Sequence, residues 1–243
     1  MNHSNMKDLF CRISSFQSLG TVDGPGVRAV VFMQGCPLSC HCCHNPETWD
    51  YKGGEEISAE NLLNKILRLK GYFGKYGGVT FSGGEPLMQA DFLLKFIPIL
   101  KNEGIHVAID TSGCILNDTV KKAVEMSDLI LLDYKYTNKT DYLKFTGMDI
   151  NNADDFLNYL YSINKPTWIR QVIIPEINDT EESLLKLYAL EKKYSCIEKT
   201  ELLAFRKLCI EKYKELNIPF PFEHIREATK EDIERCKKIA SQC

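Results

Sequence analysis

Apolar residues in this chain fall into short runs that alternate with longer amphipathic stretches. Residues 28–34 (RAVVFMQ), 105–110 (IHVAID), 129–133 (LILLD), 168–175 (WIRQVIIP) and 199–205 (KTELLAF) read as buried strands. Residues 77–82 (GGVTFS) read as another, and residues 11–16 as a short opening strand. Between them apolar positions recur at helical spacing. Ser58 caps Leu62, Leu63, Ile66, Leu67 and Leu69, and a second helix carries Ala90, Phe92, Leu93, Phe96, Ile97 and Leu100 up to Gly104. Three more carry Val120, Ala123, Val124 and Met126, then Phe156, Leu157, Leu160 and Ile163, then Leu184, Leu185, Leu187 and Leu190 behind a Thr180 cap. A capping box from Thr229 to Asp232 opens a last helix with Ile233, Cys236 and Ile239.

About six β-then-α units imply an α/β fold with parallel strands and right-handed crossovers. Six units are too few for a closed eight-stranded barrel. The pattern therefore predicts an open partial (β/α)6 barrel, with a doubly wound sheet as the alternative. No linker, repeat or low-complexity run interrupts it, so a single domain is expected. Notable residues gather where strands end: Cys36, Gly83 to Glu85, Asp110, Asp133, Lys135 and Arg170. In β/α folds that rim is where sites are built.

Composition narrows the function classes. The formal net charge of −3 gives no electrostatic footprint for nucleic acid. No apolar run approaches the roughly 20 residues that cross a bilayer, and no signal-peptide core is present at the N-terminus, so a cytoplasmic protein that touches no membrane is expected. Ten cysteines in a reducing compartment point to metal or redox chemistry before disulfides.

The densest chemistry lies directly after the strand at 28–34. Cys36, Cys40 and Cys43 stand at C-x3-C-x2-C spacing, with Cys42, His41 and His44 among them. Such a loop can turn three thiolates onto one centre, which suits three corners of an iron–sulfur cluster and leaves one iron open. With His41 or His44 as fourth ligand the same set could hold a structural zinc ion, and buried thiols could simply pack a core. Upstream, Gly20-Thr21-Val22-Asp23-Gly24-Pro25-Gly26-Val27-Arg28 is a turn-rich loop with open main chain.

Taken together, the Cys36-x3-Cys40-x2-Cys43 loop and the later Gly83-Gly84-Glu85-Pro86 resemble the radical S-adenosylmethionine superfamily. The 20–28 loop and Cys43-His44-Asn45-Pro46-Glu47-Thr48-Trp49 resemble its glycyl-radical-enzyme activases in particular. The similarity covers about residues 12–205, leaving 206–243 as a helical extension. Many such activases carry a ferredoxin-like cysteine insert after the first cluster loop; this chain runs from Asp50 to the Ser58 helix without one.

The resemblance implies a 4Fe–4S cluster on Cys36, Cys40 and Cys43 that cleaves S-adenosylmethionine to a 5′-deoxyadenosyl radical, which takes an α-hydrogen from a glycine of a partner glycyl radical enzyme. It implies that Ser82, Gly83, Gly84 and Glu85 hold the methionine amino group, and that Lys135 and Arg170 meet the carboxylate. Asp110 and Asp133 would flank a sodium or potassium ion beside the cofactor. Asp23, Gly24, Pro25 and Gly26 would grip the partner's glycine segment. Glu85 and Lys135 are both expected at strand ends outside the core. A one-electron donor such as flavodoxin or ferredoxin, and a monomeric state, complete the expectation.

Two departures touch the cofactor site. Cys42 stands where the superfamily usually has an aromatic residue against the cofactor, and Arg206 where a cofactor-contacting histidine is usual. Cys11, Cys114, Cys196, Cys209, Cys236 and Cys243 match no cluster motif and are read as structural or incidental. Two other functions compete: a radical S-adenosylmethionine enzyme acting on a small molecule, and a zinc-stabilised binding module.

Overall fold

The structure is a computed structural model that describes residues 6–240. Two compact units divide it. The first holds the described residues 6–37, Glu47–Thr111 and Ile115–Leu131; the second holds Leu38–Pro46, Ser112–Cys114 and residues 132–240. Cys243 lies outside the described residues.

In the first unit, β1 (Phe10–Gly20), β2 (Arg28–Met33) and β3 (Glu55–Ser58) are followed by α1 (Ala59–Leu67), β4 (Gly78–Gly83), α2 (Ala90–Asn102), β5 (His106–Thr111), α3 (Asp118–Met126) and β6 (Leu129–Asp133). The hydrogen-bonded order is β3-β1-β2-β4-β5-β6. β2, β4 and β5 pair in parallel, and β1 is antiparallel to both β2 and β3. β2 and β4 are buried along nearly their whole length, as their unbroken apolar runs require.

β6 straddles the division, and its last two residues open the second unit. There follow α4 (Lys139–Thr146), α5 (Ile150–Ser162), β7 (Thr167–Ile173), α6 (Glu181–Lys193), β8 (Ile197–Ala204), α7 (Ile210–Glu215) and α8 (Lys230–Ala240). β6, β7 and β8 lie side by side, with β7 parallel to β8. α8 lays Ile233, Cys236 and Ile239 against Ile173, Leu184, Tyr188 and Leu202. Its capping box forms as read: Asp232 N–H donates to Thr229 Oγ1 at 3.2 Å, and Thr229 N–H to Asp232 Oδ2 at 2.8 Å.

The strands from β2 through β8, leaving out β3, succeed one another in chain order. A doubly wound sheet needs a reversal of order at a switch point, and among the described residues there is none, so the open barrel-type order prevails over that alternative. β3 and β8 are the two edges, and the sheet is open.

Four differences from the sequence reading have local causes. β1 runs on to Gly20, past the expected end at residue 16, because a register shift between Ile13 and Ser15 breaks the alternation while pairing with β2 continues. β3 has only four residues, two of them glutamates, and gains its place by pairing with β1. α4 carries no regular apolar stripe, yet it buries Tyr142, Phe145 and Thr146. α7 (IEKYKE) is too short for periodicity to show.

Candidate active site

The 20–28 loop closes around one buried side chain. Arg28 is fully buried at the start of β2. Its Nε donates to Thr80 Oγ1 at 2.7 Å, its Nη1 to Pro25 O at 2.9 Å and its Nη2 to Val79 O at 2.7 Å. His106 Nδ1 lies 3.1 Å from Nη2. Because guanidinium only donates, that nitrogen is the acceptor and the ring's proton sits on Nε2. Burial pushes Arg28 down to about 10 against the pull of Asp128 and Asp23, so it stays charged at neutral pH. Gly26 has φ +70°, and a Cβ there would stand 2.5 Å from Gly77 N. Only glycine lets the loop lie this close to the start of β4.

The Gly83-Gly84 turn fits equally tightly under the base of the cysteine loop. Gly84 N–H donates to Met33 O at 2.9 Å, Glu85 N–H to Gly35 O at 2.8 Å, and Gly35 N–H to Thr48 O at 3.0 Å. A Cβ on Gly84 would meet Gly35 O at 2.2 Å, and one on Gly83 would meet Met33 N at 2.5 Å. The glycine pair is therefore required by close backbone approach. Ser82 Oγ donates to Asp110 Oδ2 at 2.6 Å.

Glu85 differs from its expected surroundings, because it is buried at 1 % exposure. Its Oε1 accepts from Leu87 N–H at 3.1 Å and from Thr111 Oγ1 at 2.7 Å. It thus caps the short helical turn at Pro86 and ties β4 to the end of β5. A carboxylate before proline is well set to cap the turn it opens, which draws Glu85 inward from the strand end.

In the second unit the cysteine loop is held from two sides. Ser39 N–H donates to Thr146 O and His41 N–H to Phe145 O, so the C-terminal carbonyls of α4 receive the loop's amides. From α7, Tyr213 Oη donates to Cys43 O at 3.2 Å and Lys212 Nζ to Asn45 Oδ1 at 2.9 Å. Neither residue was singled out in the sequence, and nothing in the short polar string around them signals the role.

Cys43 N–H donates to Cys40 O, and Cys43 Sγ accepts from Asn45 N–H at 3.3 Å. Burial pushes the Cys40 thiol up to about 12 against the pull of Lys135, and raises Cys42 likewise. Lys135 Nζ donates to Asp133 Oδ2 at 2.5 Å. Burial opposes both charges, but the pair overcomes it. Lys135, with Arg170, holds Asp133 below the ordinary carboxylate range, and Asp133 holds Lys135 well above the ordinary lysine range. Arg170 is buried on β7, its Nε 3.7 Å from Glu201 Oε2. Arg206 donates from Nη1 to Ala228 O at 3.0 Å and faces Glu227. The Tyr136 hydroxyl faces the Cys42 thiol.

Does this donor set suit an iron–sulfur cluster? Among the described residues no group of three or more His, Cys, Asp or Glu side chains is drawn together as a ready metal cage. The donor chemistry nevertheless fits: Cys36, Cys40, Cys42 and Cys43 are all half-buried cysteines outside any disulfide. The amide N–H on Cys43 Sγ and the Lys135 ammonium facing Cys40 are the kinds of contact that stabilise cluster thiolates. The imidazoles that zinc would need are turned to other work. His41 packs edge-on against Phe145 and Phe222, and His44 Nε2 donates to Arg206 O at 2.8 Å. Cys11, Cys114, Cys196, Cys209 and Cys236 are buried.

Residues 22–152 match the family described as the 4Fe-4S single cluster domain. The fold is that of Streptococcus suis SuiB bound to S-adenosylmethionine, with a TM-score of 0.64 and 16% identity over 85% of this chain and 44% of that one. A domain of pyruvate-formate lyase-activating enzyme from Bacteroides vulgatus shares it too, at TM-score 0.57 and 23% identity over 68% of this chain and 94% of that one. The chain thus has the iron–sulfur fold of the radical S-adenosylmethionine proteins. A pyruvate formate-lyase-activating enzyme of Clostridium pasteurianum is 44% identical over 95% of this chain and 97% of its own length. The pyruvate formate-lyase 1-activating enzyme of Escherichia coli K12 is 35% identical over 95% of each chain. This chain belongs to the family of pyruvate formate-lyase-activating enzymes.

Proposed function

We propose that this chain activates a glycyl radical enzyme of the pyruvate formate-lyase type by removing the α-hydrogen of a glycine in that partner. The observation that carries the reading is the 44% identity to a pyruvate formate-lyase-activating enzyme over 95% of the chain. The direct run from Asp50 to α1, without a cysteine-rich insert, agrees with it. Cys36, Cys40 and Cys43 would hold the cluster, which would supply the electron for reductive cleavage of S-adenosylmethionine and so the radical that abstracts hydrogen.

The chain's own residues position and shield that chemistry. The main chain at Ser82 to Gly84 offers acceptors to the methionine ammonium, and Glu85 fixes the turn that presents them. Lys135 offers N–H donors to the methionine carboxylate once it shares its contact with Asp133, and Arg170 adds a second buried cation beside that aspartate. Asp110 and Asp133 are the proposed ligands of a sodium or potassium ion, while Cys42 and Arg206 line the cofactor. Asp23, Gly24, Pro25 and Gly26 seat the partner's glycine segment by main-chain hydrogen bonds. The electron comes from flavodoxin or ferredoxin, and the protein works in the cytoplasm as a monomer, with 206–243 as a brace on one catalytic domain. Among the described residues no helix is long and apolar enough to cross a membrane.

The test is anaerobic: iron-loaded protein, reductant, S-adenosylmethionine and pyruvate formate-lyase, read by electron paramagnetic resonance. A glycyl signal on the lyase is expected. Cofactor cleavage without that signal would point to a small-molecule substrate, and a colourless, zinc-loaded protein to a binding module.

A further inference from the structure

Thr80 sits in the middle of β4, completely buried, with no route to the cofactor through its side chain. Its hydroxyl nevertheless joins two elements of the candidate site. It accepts from Arg28 Nε at 2.7 Å and donates its own proton to Asp23 O at 2.6 Å. One hydroxyl thus links the buried guanidinium to the main chain of the residue proposed to grip the partner. Arg28 holds the far side of the same loop through Pro25 O at 2.9 Å. Gly24, at φ +117°, curls past the stem, where a Cβ would come within 3.3 Å of Arg28 Cδ.

We infer that Thr80, with Arg28 behind it, is a positioning residue that sets the main chain of Asp23 and so fixes where the partner's glycine segment is seated. The inference rests on the reading of the 20–28 loop as the seat of that segment. Asp23 and Gly24 lie in an irregular loop whose conformation is not imposed by a strand ladder. Two short hydrogen bonds through a buried hydroxyl supply the missing constraint, in a place where water cannot substitute for either. Both bonds are directional. A valine at position 80 has the same shape but leaves Arg28 Nε without its acceptor and Asp23 O without its donor. The fault would appear at Asp23, since the remaining donors of Arg28 keep their bonds to Pro25, Val79 and His106.

The test uses full-length, iron-loaded protein with pyruvate formate-lyase as the probe, comparing Thr80→Val and Thr80→Ser with the parent. Reductive cleavage of S-adenosylmethionine in the absence of the lyase should be unchanged in both variants, because Thr80 touches neither the thiols nor the cofactor. In Thr80→Val the KM for the lyase should rise on the order of tenfold, the worth of one buried hydrogen bond. Thr80→Ser, which keeps the hydroxyl, should restore it. An unchanged KM in Thr80→Val overturns the inference, as does equal loss of uncoupled cleavage and radical installation, which would mark a general packing defect. If Thr80→Val fails to load iron, the same split is read on Thr80→Ala, which also removes the hydroxyl that joins Arg28 to Asp23; an unchanged KM there also overturns it. Failure of the parent protein to install any glycyl radical would sink the proposed function instead, a result distinct from these.

Discussion

Tyr213, on α7, donates its hydroxyl proton to the carbonyl of Cys43, 170 residues earlier in the chain. Tyr213 is buried at 1 % exposure, and Lys212 beside it holds Asn45. The C-terminal extension is therefore a brace on the back of the cysteine loop. Tyr213→Phe removes one hydroxyl and leaves the ring packing intact. Chemical denaturation should show a loss of about 0.5–1.5 kcal/mol, and iron loading should be slower, followed by the rise of the brown cluster absorbance.

Loss of any one of Cys36, Cys40 or Cys43 to alanine should abolish cluster assembly, because each thiolate holds one iron. Cys42→Ala should retain it, since that thiol faces Tyr136. Iron and sulfide analysis of the four variants checks the assignment. Iron lost in Cys42→Ala but kept in Cys43→Ala would reassign the third ligand.

The strands that build the sheet were legible because their apolar runs are continuous and bounded by glycine or by chemistry-bearing residues. The caps at Ser58, Thr180 and Thr229 were legible because capping is a local event: each side chain meets an amide within three residues. The elements that escaped, β3, α4 and α7, owe their existence to partners distant in sequence. The same division runs through the site. Cysteine spacing speaks for itself, whereas the Arg28–Thr80–Asp23 relay joins residues up to 57 apart. No pattern marks a threonine in a buried strand as different from a valine.

Burial changes what Glu85 variants can report. Glu85→Ala leaves Thr111 Oγ1 and Leu87 N–H without their acceptor, at a cost of about 1–3 kcal/mol in stability. Any loss of cofactor affinity in that variant is mixed with unfolding. Glu85→Gln keeps an oxygen for both donors while removing the charge. Titration of S-adenosylmethionine into folded Glu85→Gln should show weaker binding with a nearly parental melting point. Parental affinity would confine Glu85 to its capping role.

His106 makes stability depend on pH in a definite direction. Burial, then the Arg28 cation and Lys101, lower its pKa below the ordinary 6.5, with Asp128 opposing. The unfolded chain thus takes up the proton first. The contribution is complete above pH ~6.5 and is lost as pH falls from there to the folded-state pKa. A protonated ring would also turn an N–H toward Arg28, where Nδ1 now accepts. Denaturation midpoints measured at about pH 8 and pH 5 should differ less in His106→Asn than in the parent. Equal pH dependence in the two would assign the loss to carboxylates such as Asp128, which Lys101 and the Val107 amide hold below their usual range against the opposing effect of burial.

The Asp23 side chain offers a cut between cofactor chemistry and partner recognition. Its carbonyl is held from within by Thr80, so truncating the side chain leaves the loop's main chain anchored. No cluster thiol lies in this loop, and the Arg28 bonds that shape it are made to other residues. Asp23→Ala should therefore load iron, bind S-adenosylmethionine and cleave it slowly without a partner, all at parental levels. What it loses is an acceptor for an N–H of the incoming segment. A shift of about 1 Å in the target α-carbon can cost on the order of 100-fold in rate. Electron paramagnetic resonance of pyruvate formate-lyase after anaerobic incubation should thus show the glycyl signal falling by about that factor in initial rate. A full-rate signal would mean that the carboxylate takes no part in seating the glycine and that the loop recognises its partner through main chain alone.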